Sequence, residues 1–150
     1  MKSVIRKELE QNGFVVTRTD GDSMRPLLRH HQDVIVVEKR DPKQRMKKYD
    51  VVLYQRSEDS RYTLHRIIKV RKHDYVICGD NRWHWERGIT DEQIIGRLKE
   101  IHRNGKHISV ENIYYRMYVH LWCDFFYLRA ALLFVRDFPQ IVKKRLQGKM

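Results

Sequence analysis

Gly21-Asp22-Ser23-Met24-Arg25-Pro26-Leu27-Leu28 decides how this chain is read. Glycine frees the backbone to bend and proline fixes φ, so Ser23 sits in a stiff turn. Strand-like runs flank it, Phe14 to Thr19 before and Val34 to Val37 after. The turn therefore presents a hydroxyl at the lip of a sheet. A serine between Gly and Pro is ordinarily turn chemistry and nothing more. What the rest of the chain supplies decides whether this one does more.

Upstream, Ser3 is placed to cap a short helix to about Gln11, ended by Asn12-Gly13. Downstream, β-branched and aromatic runs recur between turns. They are Asp33 to Val37, Asp50 to Tyr54, Tyr62 to Val70, Tyr75 to Cys78 and Ile94 to His102. A basic loop fills Lys39 to Lys48, a polar turn Gln55 to Arg61, and a loop with two tryptophans Arg82 to Thr90. Asn104-Gly105 is a two-residue hairpin signal leading into Ile108 to Val110. Short strands with a turn every dozen residues predict a mostly β domain over 1–110. From Glu111 the pattern changes. Ile113 to Leu146 has few turn residues, and Arg116, His120 and Asp124 recur every four, which predicts a helical extension over 111–150 with a narrow polar stripe. Pro139 is expected to kink or break it.

Composition narrows the class. In 150 residues, 41% are hydrophobic and 11% aromatic, enough for a globular core. A net charge of +12 favours anionic partners without naming one. Two cysteines, Cys78 and Cys123, suggest no disulfide framework. The first residues lack the apolar core of a signal peptide. No run of ~18 uncharged apolar residues predicts a conventional spanning helix. The expectation is a cytoplasmic protein, or one peripheral at a membrane surface. The aromatic-rich stretch Tyr114 to Val142, followed by Lys143-Lys144-Arg145 and Lys149, fits a helix lying on an anionic membrane.

The chemistry-bearing residues then fall into an order. Gly21-x-Ser23-Met24-x-Pro26 is followed by Gln32 to Val36, Tyr49 to Tyr54, His65-Arg66-Ile67 and Gly79-Asp80-Asn81. In that order the sequence resembles the clan of serine peptidases that holds type I signal peptidases and the self-cleaving LexA-type repressors. The resemblance runs from about Gly21 to Gly96, roughly half of the chain. It implies a signal-peptidase/LexA-like β domain and hydrolysis of a peptide bond in an extended substrate, with small side chains near the scissile bond. Ser23 would be the nucleophile, activated by a base because free serine attacks poorly at neutral pH. His65 stands where many relatives carry lysine, as in the endoplasmic-reticulum and archaeal branch.

A carboxylate is then needed to orient the imidazole. By resemblance Asp80 is the first candidate and Glu86 the second. Gly21 replaces the serine that in many signal peptidases helps hold the oxyanion, so backbone N–H groups are expected to do this. Met24 is expected to pack beneath the site. A LexA-type self-cleaving regulator and a catalytically silent peptide-binding protein are the alternatives. No cofactor is expected. His30-His31 and Cys78…His84 lack the spacing of structural zinc sites, so no metal is expected either. The basic loop has no interleaved aromatics, which argues against specific nucleic-acid binding. Substrate identity and oligomeric state stay open.

Overall fold

The computed structural model describes residues 2–57 and 61–147. Its centre is an antiparallel sheet, with a short helix before it and two helices after it. The elements in chain order are α1 (Lys2–Asn12), β1 (Phe14–Arg18), β2 (Val34–Lys39), β3 (Val51–Tyr54), β4 (Thr63–Val70) and β5 (Tyr75–Cys78). They continue with β6 (Glu86–Ile89), β7 (Ile94–Arg103), β8 (Lys106–Ser109), α2 (Ile113–Cys123) and α3 (Phe126–Gln147). Strands lie in the order β1-β2-β7-β3-β4-β5-β6, with β8 paired to β7 across the Asn104-Gly105 turn. Both turn residues have positive φ, 49° and 73°, as a tight hairpin requires.

Alternation along the strands divides the apolar residues between two cores. On β3, Val51 and Leu53 join a cluster with Val15, Ile35, Leu64 and Leu98. Val52 and Tyr54 join another with Ile67, Tyr75, Ile77 and Ile89. The register pairs Val52 with His65 and Val51 with Arg66. Neighbouring residues of β4 therefore face opposite sides of the sheet.

Four local expectations change. Ser3 lies inside the first turn of α1, which begins at Lys2, and not ahead of it as a capping position requires. Glu86 to Ile89 is a strand paired with β5, although it falls in the expected tryptophan loop. Gly88 at φ 78° weakens its local strand signal, and pairing with β5 overrides that weakness. The C-terminal segment breaks at Asp124-Phe125, while α3 runs through Pro139. Pro139 removes the donor for the carbonyl of Val135, which lies on an exposed face. The break turns the helix axis by 69°. It lets Tyr115, Val119 and Cys123 pack on the sheet core while Phe126 meets Trp85. Finally, α2 shares the core of the β domain rather than standing apart as an extension. Of the polar turn Gln55 to Arg61, residues 58–60 lie outside the described residues, as does Lys149. No single described helix is long and apolar enough to cross a membrane.

Candidate active site

The serine turn is anchored from below and gripped from one side. Met24, Leu27 and Leu28 are buried in the first core, so the backbone that carries the half-exposed Ser23 is fixed by packing. Two turn bonds stiffen it, Arg25 N–H to the Asp22 carbonyl at 3.1 Å and Leu28 N–H to the Met24 carbonyl at 2.9 Å. Gly21, at φ 100°, uses the conformational freedom that the sequence offered. Its N–H donates to His30 Nδ1 at 2.7 Å, a partner that no local pattern announces.

The grip comes from Gly79-Asp80-Asn81-Arg82. Asn81 N–H donates to the Ser23 carbonyl at 2.8 Å, and the Asn81 side chain donates to the Asp22 carbonyl at 3.1 Å. Arg82 pairs with the Asp22 carboxylate at 2.9 Å. A Cβ at Gly79 would lie 2.6 Å from the Ser23 carbonyl oxygen and 3.1 Å from His65 Nε2. Only glycine allows the two turns to approach this closely. Nε2 of His65 and the Ser23 carbonyl oxygen therefore crowd the same side of Gly79.

The other ring nitrogen of His65 meets an acid. His65 is 9% exposed, and its Nδ1 lies 3.3 Å from Glu86 Oε1 and 3.5 Å from the Tyr54 hydroxyl. Tyr54 donates to Glu86 Oε1 at 3.0 Å, and Arg56 pairs with Oε2 at 3.1 Å. The hydrogen bond with His65, aided by Tyr54 and Arg56, holds the Glu86 carboxyl below its ordinary value, although burial pulls the other way. Burial, and then the Glu86 charge, push the Tyr54 hydroxyl far up, so it stays protonated and donating. The acid facing His65 is thus the second sequence candidate. Tyr54 ends one of the ordered motifs without a role there, and Arg56 lies outside them; only the fold brings both to Glu86.

Asp80, the first candidate, is turned away to Arg66. The guanidinium binds both carboxylate oxygens, Nε to Oδ1 at 2.8 Å and Nη2 to Oδ2 at 2.7 Å, with both residues at most 1% exposed. Tyr118 adds a hydroxyl bond to Oδ2 at 2.9 Å, and Trp122 donates to the Asp80 carbonyl at 2.9 Å. Arg66 also reaches the Tyr49 carbonyl and the Tyr115 hydroxyl. Burial alone would lower the Arg66 pKa. The Asp80 charge more than offsets it and leaves the value well raised. The pair fastens the Gly79–Arg82 turn to the sheet and to α2. Helix α3 adds Arg136, which donates to Asn81 Oδ1 at 2.9 Å.

A groove of about 680 Å³ opens beside Ser23. Ile35, Leu53 and Leu64 give it an apolar floor, and Thr17, Tyr62 and Thr63 form its rims. β1 ends the sheet, so one of its edges is open. Trp83 and Trp85 pack edge-on or tilted against Phe134 and Phe126 of α3, which gives them a docking role. Both cysteines are buried thiols, with burial pushing Cys78 up to about 12 and Cys123 up to about 11. Neither is a nucleophile at neutral pH. Two groups of ligand-type side chains have atoms within 4.8 Å of one another: Asp20, His30 and His31, and Glu100, His102 and His107. All six are exposed or half-buried at the surface, with each carboxylate within 3.8 Å of a ring nitrogen of its histidines.

No family model and no curated protein matches this chain.

Proposed function

We propose that this protein is a serine endopeptidase with a signal-peptidase/LexA-like catalytic domain, in which Ser23 is the nucleophile, His65 the base and Glu86 the acid that orients the base. One observation carries the reading. His65 has a carboxylate at Nδ1, and its Nε2 lies against Gly79, the same glycine that the Ser23 carbonyl approaches, which supports a base close to the serine turn. Glu86 holds the proton on Nδ1 and leaves the Nε2 lone pair for the serine. Ser23 Oγ attacks the peptide carbonyl and its proton passes to Nε2. Glu86 stabilises the imidazolium that forms. The backbone N–H of Ser23 is the first donor for the oxyanion. Nε2 then returns the proton to the leaving amine, and water releases the acyl group by the same route.

Asp80 acts here as a positioning residue, since Arg66, Tyr118 and Trp122 occupy it. The substrate lies extended in the groove between Thr17 and Thr63, where an open strand edge can add a peptide strand. The resemblance suggests small side chains at the scissile bond. A leader, signal or membrane-proximal segment of another protein has the extended, accessible form that this demands.

The test is labelling of the purified full chain with a fluorophosphonate probe, alongside turnover of an extended peptide library. Wild type should be labelled at Ser23, and Ser23→Ala and His65→Ala should each lose labelling and turnover with unfolding temperatures unchanged. The substitutions should cost about as much singly as together. A labelled Ser23→Ala protein contradicts the assignment. A wild-type protein that binds peptides but never reacts makes it a silent binder. A chain that shortens itself on incubation without substrate makes it a self-cleaving regulator.

A further inference from the structure

The inward faces of α2 and α3 are accounted for by the fold. Tyr115, Val119 and Cys123 enter the sheet core, Phe126 and Leu133 are buried, and Tyr118, Trp122 and Arg136 bond to the Asp80-Asn81 turn. The outward faces are apolar as well. Met117, Leu121, Phe125, Leu128, Leu132 and Val135 are between 53% and 69% exposed. Their spacing of four, four, three, four and three puts them on an outward face on each side of the break. Tyr114 and Tyr127 extend it with aromatic rings that are still more exposed. So much exposed apolar side chain on two neighbouring helices marks a docking surface.

We propose that this stripe seats the protein on an anionic lipid bilayer, with α2 and α3 lying flat in the interface. Three observations select this occupant. The first is charge: the chain carries +12, and exposed Arg116, Lys143 and Arg145 flank or follow the stripe. A second copy of so basic a chain is repelled, while anionic headgroups are attracted. The second is composition, since aromatic and leucine side chains beside basic ones suit the headgroup–acyl boundary. The third is geometry. The two helices together have the length and apolarity of a span, but they are bent by 69°. Straightening them across a bilayer would pull Tyr115, Val119 and Cys123 out of the sheet core and break the bonds to Asp80. The segment therefore lies on the membrane and does not cross it. This docking is independent of the peptidase reading.

The inward contacts also fix the form of the test. Deleting 113–150 would strip the core and the partners of Asp80, so loss of binding by such a chain would prove nothing. The full chain should be sedimented with phosphatidylcholine vesicles containing a rising share of phosphatidylglycerol. It is compared with a triple variant, Leu121→Ser, Leu128→Ser and Leu132→Ser, and with Lys143→Glu/Arg145→Glu. All the altered residues are exposed, so unfolding temperatures should match wild type. Wild type should bind more as anionic lipid rises and less as salt rises. The triple variant should lose about tenfold or more in partitioning at every composition, and the charge variant should lose mainly the dependence on anionic lipid. Absence of wild-type binding, or equal binding by the triple variant, overturns the proposal. So does a concentration-dependent dimer without vesicle binding that the triple variant abolishes, which would assign the stripe to a second copy.

Discussion

His65 and Arg66 are neighbours on β4, each paired with a carboxylate, and the two pairs are built for different work. The strand pleat sends His65 to one side of the sheet and Arg66 to the other. Arg66 and Asp80 spend their polar atoms on each other and on Tyr49, Tyr115 and Tyr118. Nothing is left over to react. His65 uses one nitrogen on Glu86, and the other lies against Gly79, which also packs on the Ser23 carbonyl. A buried pair with every atom satisfied is structural. In the proposed mechanism, the nitrogen that His65 keeps free is the one that takes the serine proton.

The largest expected effect lies on the structural side. Asp80→Ala leaves Arg66 charged and unpaired in the core, and should cost about 3–5 kcal/mol in urea unfolding. Replacing both partners, Arg66→Met with Asp80→Leu, should recover much of that loss. An Asp80→Ala protein as stable as wild type would erase the distinction between the two pairs. Next in size is Gly79→Ala. The added methyl meets the Ser23 carbonyl at 2.6 Å, so the turns must separate, with an expected cost of about 1–3 kcal/mol and a fall in any Ser23 reactivity. Unchanged reactivity would mean that the turn contact does not position the serine.

Glu86→Gln should barely move stability, by about 1 kcal/mol or less, because the amide oxygen keeps the bond from Tyr54 and only the exposed pairing with Arg56 is lost. Its sign with pH is fixed. The Glu86 carboxyl is held below its ordinary value, so its stabilisation is full above the unfolded value of about 4.3 and is lost as pH falls through the depressed one. The unfolding-temperature gap between wild type and Glu86→Gln should therefore close in acid; a gap that widens there refutes the pairing. The smallest effect is that of Tyr54→Phe, which removes one hydroxyl bond to Glu86 and should slow turnover only a few-fold.

Much of this was legible in the residues themselves. The serine turn, His65 and Gly79-Asp80-Asn81 stand in a recognisable order, and strand alternation predicted the mostly β core. Choosing between Asp80 and Glu86 was beyond sequence. Asp80 sits in the motif, while Glu86 reaches His65 only because β6 pairs with β5, and the Arg82 to Thr90 stretch reads as a loop. Burial of Arg66, which claims Asp80, depends on α2 closing over β4. The helix break at Asp124 was hidden for a similar reason. Pro139 is the obvious local breaker, but the bend is set by where the apolar side chains find partners.

The most direct measurement is the pH dependence of fluorophosphonate labelling at Ser23, for wild type and Glu86→Gln. Wild type should label faster as pH rises towards neutrality, because attack needs an imidazole free to accept a proton. Glu86→Gln should react slower by about a hundredfold or more at neutral pH, because the imidazolium that forms has lost its carboxylate. Superimposable profiles for the two proteins, or a rate still climbing steeply above about pH 9 as a lysine base would give, would contradict a histidine base oriented by Glu86.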